Sequence, residues 1–300
     1  MALTINTNIS SLIAQRNLNN ATNALNTSIE RMTTGYKINH SKDNAAGYSI
    51  ANNWVTQLGS LDIASDNAAT GSDLVSTAED SLQLVNSHIQ RVRDLTEQAA
   101  NGTYGSASLK AIKAEITARL EEVDRIAAST EFNGRKLLNG DITTNINLQV
   151  GLYADSTVNA ISINKDYFKS VASGTIFKDH SGDSSLTTIA LIAKACTGIK
   201  DDGTVDTSVS PAAMLDKIDK VLKEVSTRAT NLGAAQNRIS SAIDSIDVQS
   251  QNITSSLSTL RDTDISQESS NYIQAQILQQ ASATLLSTAN QLPSIALNLI

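Results

Sequence analysis

The chain has 300 residues, of which 18% are charged and 3% are aromatic, and it carries a formal charge of -7 and one cysteine. A single cysteine excludes an internal disulfide framework and any zinc or iron-sulfur site built on several thiolates. The acidic balance gives no electrostatic footprint for a phosphate backbone, so no nucleic-acid partner is expected, and the few aromatic residues predict an aliphatic core.

The N-terminal segment is nearly uncharged, since residues 1–29 carry only Arg16. Its start lacks the basic region and the continuous apolar region of a secretory signal. No apolar stretch approaches the roughly 20 residues of a membrane-spanning helix, so no membrane partner is expected. Apolar residues then recur at steps of three and four, which predicts one stripe of a helix. The stripe consists of Leu18, Ala21, Leu25, Ile29 and Met32.

Three longer helices are predicted from the same spacing of apolar residues. The first covers about 58–100, and the second begins at 106–108 and ends before Asn133-Gly134. The third pattern runs from Ile218 to Leu260, which is longer than a typical globular helix and indicates an elongated bundle.

The middle of the chain changes character. Apolar and polar residues alternate from Ile146 to Leu152 and again from Ile161 to Ile163, which predicts a β-hairpin or small sheet. From about 170 to 210 the chain is rich in Gly, Ser, Thr and Asp, and we interpret this segment as a short surface insertion. Its single apolar stripe ends at Cys196, which is better explained as a small buried hydrophobe than as a nucleophile.

The C-terminal segment carries no charged side chain from Ser269 to Ile300. Its leucines recur every seven residues, the period of a supercoiled seam. They are Leu278, Leu285, Leu292 and Leu299. Because both ends share this pattern, the chain is predicted to fold back and pair its own termini. The predicted fold class is mainly α: an elongated antiparallel helical bundle with paired terminal coiled-coil helices and a small β-hairpin region.

Residues that could carry catalysis are few and scattered. His40, His88 and His180 do not form a zinc-binding helix motif, and the chain has neither a phosphate-binding glycine loop nor a nucleophile elbow. His88 lies beside the apolar stripe of the first long helix and is interpreted as a half-exposed helix residue. We therefore expect no enzyme activity, no metal and no cofactor.

Two adjoining predicted helices carry a set of polar and charged residues. Gln90, Arg91 and Gln98 belong to the first long helix, and Glu115 and Arg119 to the second. Arginines that bind bidentately suit a protein interface, while the alternative is an ordinary exposed face of a bundle.

Three stretches carry a family pattern. The first is NTNISSLIAQRNL at 6–18 followed by SIERMTTGYKINHSKDNAAGYSIAN at 28–52. The second is HIQRVRDLTEQAANGTYG at 88–105 with FNGRKLLNG at 132–140, and the third is LGAAQNRISSAI at 232–243 with the uncharged tail. In these stretches and in their order, the chain resembles the bacterial flagellins, the subunits of the flagellar filament.

The resemblance implies a division into domains. In flagellins the two ends are disordered in the free subunit and become a paired helical layer in the filament, while outer domains are inserted in the middle. The implied parts are an inner filament-core domain at 1–42 and 261–300, a connecting spoke at 43–57, a helical bundle domain at 58–169 and 211–260, and a short variable insertion at 170–210.

The resemblance implies a structural, self-polymerising protein of bacterial motility. It would be exported through the flagellar type III apparatus without a cleaved signal peptide, and its implied location is extracellular, in the filament. Implied partners are other copies of the chain, an export chaperone, the filament cap and the hook-filament junction proteins. The implied self-assembly residues are Leu18, Leu25, Ile29, Met32, Leu278, Leu285, Leu292 and Leu299. A hook-filament junction protein, which has similar ends, is the alternative.

Flagellins are also ligands of Toll-like receptor 5 in animal hosts, through a helical patch similar to Gln90-Arg91-Val92-Arg93-Asp94-Leu95 in this chain. The implied receptor-binding positions are Gln90, Arg91, Leu95, Gln98, Ile112, Glu115 and Arg119.

Overall fold

The structure is a computed structural model that describes residues 8–153, 155–181, 183–200, 204–206 and 210–298. In chain order its helices are α1 (Ile9–Thr34), α2 (Ala45–Ala100), α3 (Ser106–Ser129), α4 (Ser156–Asn159), α5 (Ser173–His180), α6 (Ile189–Thr197), α7 (Pro211–Arg261) and α8 (Ile265–Asn298). Its strands are β1 (Glu131–Phe132), β2 (Arg135–Lys136), β3 (Ile146–Gln149) and β4 (Ala160–Ile163). The predicted fold class, mainly helical with a small β region, is confirmed.

The chain forms two compact units. The first comprises the described residues up to Gly59 and from Ser250 onward, and the second comprises the described residues of Ser60–Gln249. Both divisions fall inside long helices, α2 and α7. The domain borders proposed from the sequence stay predictions.

In the first unit, the starts and ends of α1 and α8 have local causes. The side-chain oxygen of Asn8 accepts a hydrogen bond from the Ser11 amide at 3.1 Å and caps the start of α1. Gly35 ends that helix with a φ of 75°, a left-handed conformation that glycine adopts without steric cost. Asp264 accepts the Ser266 amide at 2.8 Å and so starts α8.

The three long helices predicted from apolar spacing are confirmed as α2, α3 and α7, although α2 begins earlier than expected. The side-chain oxygen of Asn44 accepts the Gly47 amide at 2.9 Å, which satisfies an unpaired donor of the first turn and starts α2 at Ala45. Most of the predicted spoke at 43–57 is therefore helical. α7 begins at Pro211, because the ring of proline suits the first helical position, where no amide donor is needed.

Two small hairpins follow α3. β3 and β4 confirm the predicted hairpin, with Ile146 opposite Ile163 and Leu148 opposite Ile161. β1 and β2 form a second hairpin around Asn133 and Gly134, whose φ angles are 48° and 76°. Two consecutive positive φ angles suit a two-residue hairpin turn. From the sequence, this Asn-Gly pair predicted only the end of a helix, so the hairpin was missed.

The 170–210 segment, interpreted from the sequence as a short surface insertion, contains buried apolar residues, and Cys196 is one of them, as expected. α5 and α6 both pack against α3. The polar composition that suggested a surface loop belongs in part to caps and turns, as when the Thr188 hydroxyl accepts the Leu191 amide at the start of α6. The buried apolar residues of the segment are Val171, Ile176, Phe177, Leu186, Ile192, Ala193, Cys196 and Ile199.

The core of the second unit is aliphatic, as predicted, and is contributed by α2, α3 and α7 together with the 170–210 segment. Its long-helix members that are fully removed from solvent include Val75, Leu82, Val85, Ile89 and Val92 of α2, Ile116, Leu120 and Val123 of α3, and Ile218, Val221, Val225, Leu232 and Ile239 of α7. Burial of such side chains stabilises a fold by about 1.5–3 kcal/mol each. Large apolar residues therefore hold the second unit together.

One charged side chain also lies inside the second unit. Arg228 of α7 is 2% exposed. Its Nε donates to Glu224 Oε1 at 2.8 Å, and its Nη1 donates to the carbonyl oxygen of Lys169 at 3.0 Å. A buried guanidinium is tolerable only with such partners, so Arg228 ties the segment before α5 to α7.

Candidate functional site

The two ends of the chain pair as antiparallel helices through small side chains. α1 and α8 pack against each other along the described length of the pair. Buried positions recur every seven residues on both helices. On α1 they are Ala14, Ala21 and Ser28, and on α8 they are Glu268, Ala275, Ser282 and Ala289. We call these residues the small-residue seam, with Glu268 as its one charged member.

Polar contacts cross the pair along its length. The amide nitrogen of the Asn8 side chain donates to the carbonyl oxygen of Ala289 at 2.6 Å. Further along, Gln279 Nε2 donates to Thr22 Oγ1 at 3.2 Å. Near the other end, Arg31 Nη1 lies 3.8 Å from Glu268 Oε2. These pairs confirm that the termini fold back on each other.

A short β-bridge, which we call the clasp, joins the segments next to this last contact. The Lys37 amide donates to the carbonyl oxygen of Arg261 at 2.7 Å, and the Thr263 amide donates to the carbonyl oxygen of Gly35 at 2.9 Å. The guanidinium of Arg261 lies 4.0 Å from the centre of the Tyr36 ring, a cation-π contact. The clasp holds the C-terminal end of α1 beside the N-terminal end of α8.

The large apolar residues proposed for self-assembly lie off the seam. Leu278 is 50% exposed and Leu285 is 60% exposed, while Ile29 is also exposed. Leu18, Leu25 and Met32 are half-buried. Leu292 lies in α8 beyond Gln291, where the description of side chains ends, and Leu299 lies outside the described residues.

The leucine heptad of α8 is therefore not the contact that pairs α8 with α1 over the part whose side chains are described. A groove of about 780 Å³ runs along one face of the pair. Leu278 and Leu285 line it, and so do Arg31 and Glu268. The pair presents large apolar side chains and an open groove on a scaffold held by small ones.

The patch proposed for receptor binding is centred on an ion pair between α2 and α3. Arg91 Nε donates to Glu115 Oε1 at 2.9 Å, and Arg91 Nη2 lies 2.9 Å from the same oxygen. Arg119 Nη2 lies 3.8 Å from the same oxygen. Two guanidinium groups thus flank one carboxylate on an accessible surface, which leaves the cluster with a net positive charge.

Two of the seven proposed receptor contacts are buried. Leu95 is 2% exposed and Ile112 is 7% exposed, because both point into the aliphatic core. In the folded unit these two side chains support the helices that carry the patch, and their part in receptor binding stays a prediction. Gln90 and Gln98 are exposed, and Gln98 Nε2 donates to the Tyr104 hydroxyl at 2.9 Å.

Residues beside the patch extend its charge pattern. Arg93 Nε donates to Asp219 Oδ1 of α7 at 2.7 Å, and this contact raises the pKa of Arg93. Partial burial, together with the positive charge of Arg119, lowers the pKa of His88. Asp219 was missed because its neighbours in sequence give no sign that it faces α2.

The described residues offer little for catalysis. Burial raises the pKa of Cys196 to about 12, so its thiol is a poor nucleophile. No group of three or more His, Cys, Asp or Glu side chains within the described ranges is arranged to hold a metal ion. Among the helices that the structure describes, none is long and apolar enough to cross a membrane.

Comparison with known proteins agrees with this picture along the chain. A profile of the bacterial flagellin N-terminal helical region matches residues 5–143, and one of the bacterial flagellin C-terminal helical region matches residues 215–300. Polar flagellin C of Vibrio parahaemolyticus is 31% identical and flagellin D of Vibrio anguillarum is 34% identical, with 100% of each chain covered. A flagellar hook-associated protein from Vibrio parahaemolyticus shares the fold, with a TM-score of 0.60 and 13% identity over 73% of this chain and 100% of that one. The chain belongs to the bacterial flagellin family.

Proposed function

We propose that this chain polymerises into the flagellar filament through its paired ends, with the exposed large apolar residues of α1 and α8 as contacts between copies. The proposal rests on one observation: within the pair, the small residues are buried and the large apolar residues are exposed. Small residues close the contact between α1 and α8, while Leu278, Leu285 and Ile29 stay in solvent. Exposed apolar side chains in such number indicate a surface that is covered in the assembled state.

The occupant of this surface is a second copy of the chain. The surface is almost free of charge, since residues 1–29 carry only Arg16 and 269–300 carry none, so two such surfaces can meet without burying unpaired ions. The groove along the pair accepts apolar side chains of a neighbouring helix. A contact of this kind is heterologous, so it propagates as a helix of subunits and does not close into a dimer.

Export and location follow from the same function. A filament subunit must leave the cell, and we propose that it does so through the flagellar type III apparatus, unfolded and without a cleaved signal peptide. A chaperone would cover the uncharged C-terminal segment before export, and the cap and junction proteins would meet the chain at the filament ends. We also propose that the two ends are disordered in the free subunit and become ordered on assembly. Each end carries a single apolar stripe, and one stripe alone cannot bury enough surface to offset the entropy cost of folding.

Seeded polymerisation tests the proposal. Purified chain added to filament fragments should form tubes visible by electron microscopy, and a chain truncated after Arg261 should form none. Leu278→Asn with Leu285→Asn should also abolish growth. Leu191→Asn is the matched control, because Leu191 is an exposed leucine of the second unit. Native filaments from the truncated chain would contradict the role of the ends.

We propose that the Arg91–Glu115 cluster is a recognition surface for Toll-like receptor 5. Its two accessible arginines support this role, since arginine is enriched among the residues that dominate binding at protein interfaces. Arg91→Ala with Arg119→Ala should reduce receptor signalling in a reporter cell by at least about tenfold, since two charged contacts are lost. Arg125→Ala is the control, because Arg125 pairs with Glu122 on the same helix. Equal signalling from the double arginine variant and from the Arg125→Ala control would contradict the proposal.

A hook-filament junction protein is the second candidate, favoured by the fold shared with the hook-associated protein. Immunogold labelling of cells separates the two roles. A filament subunit is labelled along the filament, and a junction protein only at its base.

A further inference from the structure

We propose that Glu268, through its contact with Arg31, sets the register of α8 against α1. This inference rests on the proposed function, because it concerns the same paired ends. Glu268 is a positioning residue: it selects which residues face each other along the pair, and so which apolar side chains the pair presents to another copy.

The small-residue seam does not fix its own register. Its members on α1 are alanine or serine at every seventh position, and three of its four members on α8 are also alanine or serine. If α8 slid by seven residues, small side chains would again face small side chains. Packing of alanine and serine alone therefore distinguishes poorly between the two alignments.

Glu268 breaks this repeat. It stands at the same heptad position as Ala275, Ser282 and Ala289, yet its side chain ends in a carboxylate. The residue as a whole is only 5% exposed. Its Oε2 lies 3.8 Å from Arg31 Nη1 and accepts from Asn271 Nδ2 at 3.4 Å. A slide that moved Glu268 one heptad deeper would place it opposite Ala24 in place of Arg31, as a buried charge without its cation. Leaving a buried carboxylate without its cation in this way is costly.

A polar group at one seam position is a known means of fixing register in paired helices, at some cost in stability. The contact between Arg31 and Glu268 is too long for a strong hydrogen bond, so its contribution to stability is small. Its effect on alignment is larger, because the alternative leaves the carboxylate unpaired.

The clasp is the competing explanation for the register. It fixes the segments around Gly35 and Thr263 by two backbone hydrogen bonds. Residues between Thr263 and Glu268 could still unwind and lengthen, since an extended residue spans more than twice the rise of a helical one. Substitution of Glu268 leaves the clasp intact and so separates the two causes.

Disulfide trapping within assembled filaments tests the inference, in a background with Cys196→Ala. The variant Thr22→Cys/Gln279→Cys reports the observed register, since these side chains touch. The variant Thr22→Cys/Tyr272→Cys reports a slide of one heptad. Intrachain cross-links are measured at monomer mass on gels and identified by peptide mass spectrometry.

With Glu268 present, only the first pair should cross-link. Adding Glu268→Ala should raise the ratio of slid to observed cross-links by at least about tenfold, the effect of removing the penalty for an unpaired buried charge. The exchanged pair Arg31→Glu/Glu268→Arg should restore the original ratio. If Glu268→Ala does not polymerise alone, the ratio is measured in filaments grown with an excess of the parent chain.

An unchanged ratio in Glu268→Ala filaments overturns the inference, because the clasp and the other polar contacts across the pair would then suffice to set the register. Failure of the exchanged pair to restore the ratio also overturns it. In both cases the proposed filament function stands, whereas a parent chain that forms no filaments refutes that function itself.

Discussion

The two units of this chain use apolar residues in opposite ways. In the second unit, large aliphatic side chains such as Val85, Leu120 and Ile218 are fully buried, and small polar residues take the caps and turns. In the first unit, alanine and serine are buried between α1 and α8, while large apolar residues such as Ile29, Leu278 and Leu285 stay exposed. A side chain that is buried within one chain cannot also be offered to another copy. The first unit therefore keeps its largest apolar surface for assembly.

The largest difference between the units should appear when one large apolar residue of each is removed. Phe177→Ala deletes a fully buried ring of the second unit and should lower its free energy of unfolding by about 3–5 kcal/mol. Leu285→Ala removes an exposed side chain and should change the stability of the monomer by less than about 0.5 kcal/mol. Urea unfolding of the monomer, followed by circular dichroism, measures both.

In a polymerisation assay the order of the two effects should be reversed, with Leu285→Ala the more damaging variant. Leu285→Ala should slow filament growth, and Phe177→Ala should polymerise wherever its second unit is still folded. A large loss of monomer stability in Leu285→Ala would show that this leucine packs inside the folded monomer. The proposed contrast between the two units would then be wrong.

Overpacking the seam is the next test of the comparison. Ala21→Leu places a large side chain where α1 and α8 approach closely, so the helices must separate and assembly should be lost. The second unit should unfold as in the parent chain. Ala212→Leu makes the same change at an exposed helical position of the second unit and should form normal filaments. Seeded growth observed by light scattering gives both results.

Two glycines of the second unit sharpen the comparison further, because they meet different neighbours. A Cβ on Gly174 would lie 2.3 Å from the backbone oxygen of Thr187, which cannot move without shifting the chain. Gly174→Ala should therefore destabilise the second unit by about 1–3 kcal/mol. A Cβ on Gly71 would lie 2.2 Å from a terminal methyl of Leu148, which can rotate away.

For Gly71→Ala, the clash is offset by the gain of about 1 kcal/mol from alanine in a helix interior. Its free energy of unfolding should stay within about 1 kcal/mol of the parent value. Equal losses in the two alanine variants would mean that Leu148 is held as rigidly as backbone.

The sequence predicted the parts of this fold that large apolar residues determine. The spacing of Val85, Ile89 and Val92 placed α2, and alternation placed β3 and β4. It missed the small-residue seam, because alanine and serine have too little apolar surface to stand out in a sequence pattern. The contact between the ends was therefore assigned to the leucine heptad. It also took 170–210 for a surface segment, because residues that cap short helices resemble those of a loop.

The candidate site was predictable in its residue types and less so in its geometry. Arg91, Glu115 and Arg119 were placed on adjoining helices from the sequence, and the structure brings them together. The burial of Leu95 and Ile112 could not be deduced from a motif, because a motif states identity and not which side of the helix faces the core. Asp219 contacts Arg93, beside the cluster, from a distant helix that sequence spacing does not connect to α2.

The smallest effect concerns the loop before α6, where the second unit uses a charge pair in addition to the buried side chain of Leu186. Lys217 Nζ donates to Asp183 Oδ2 at 2.6 Å, and this contact lowers the pKa of Asp183 from its ordinary 3.8. A carboxyl group whose pKa is lowered on folding stabilises the fold above its unfolded pKa and loses that contribution as the pH falls through its folded pKa. The contribution is modest, because the pair is partly exposed. Asp183→Asn should therefore lower the urea midpoint of the second unit slightly and evenly from pH 7 to about pH 5, and the difference from the parent should shrink as the pH falls below about 4. A difference that instead grew on acidification would mean that Asp183 is protonated in the folded unit, and that the loop is held by its apolar residue Leu186 alone.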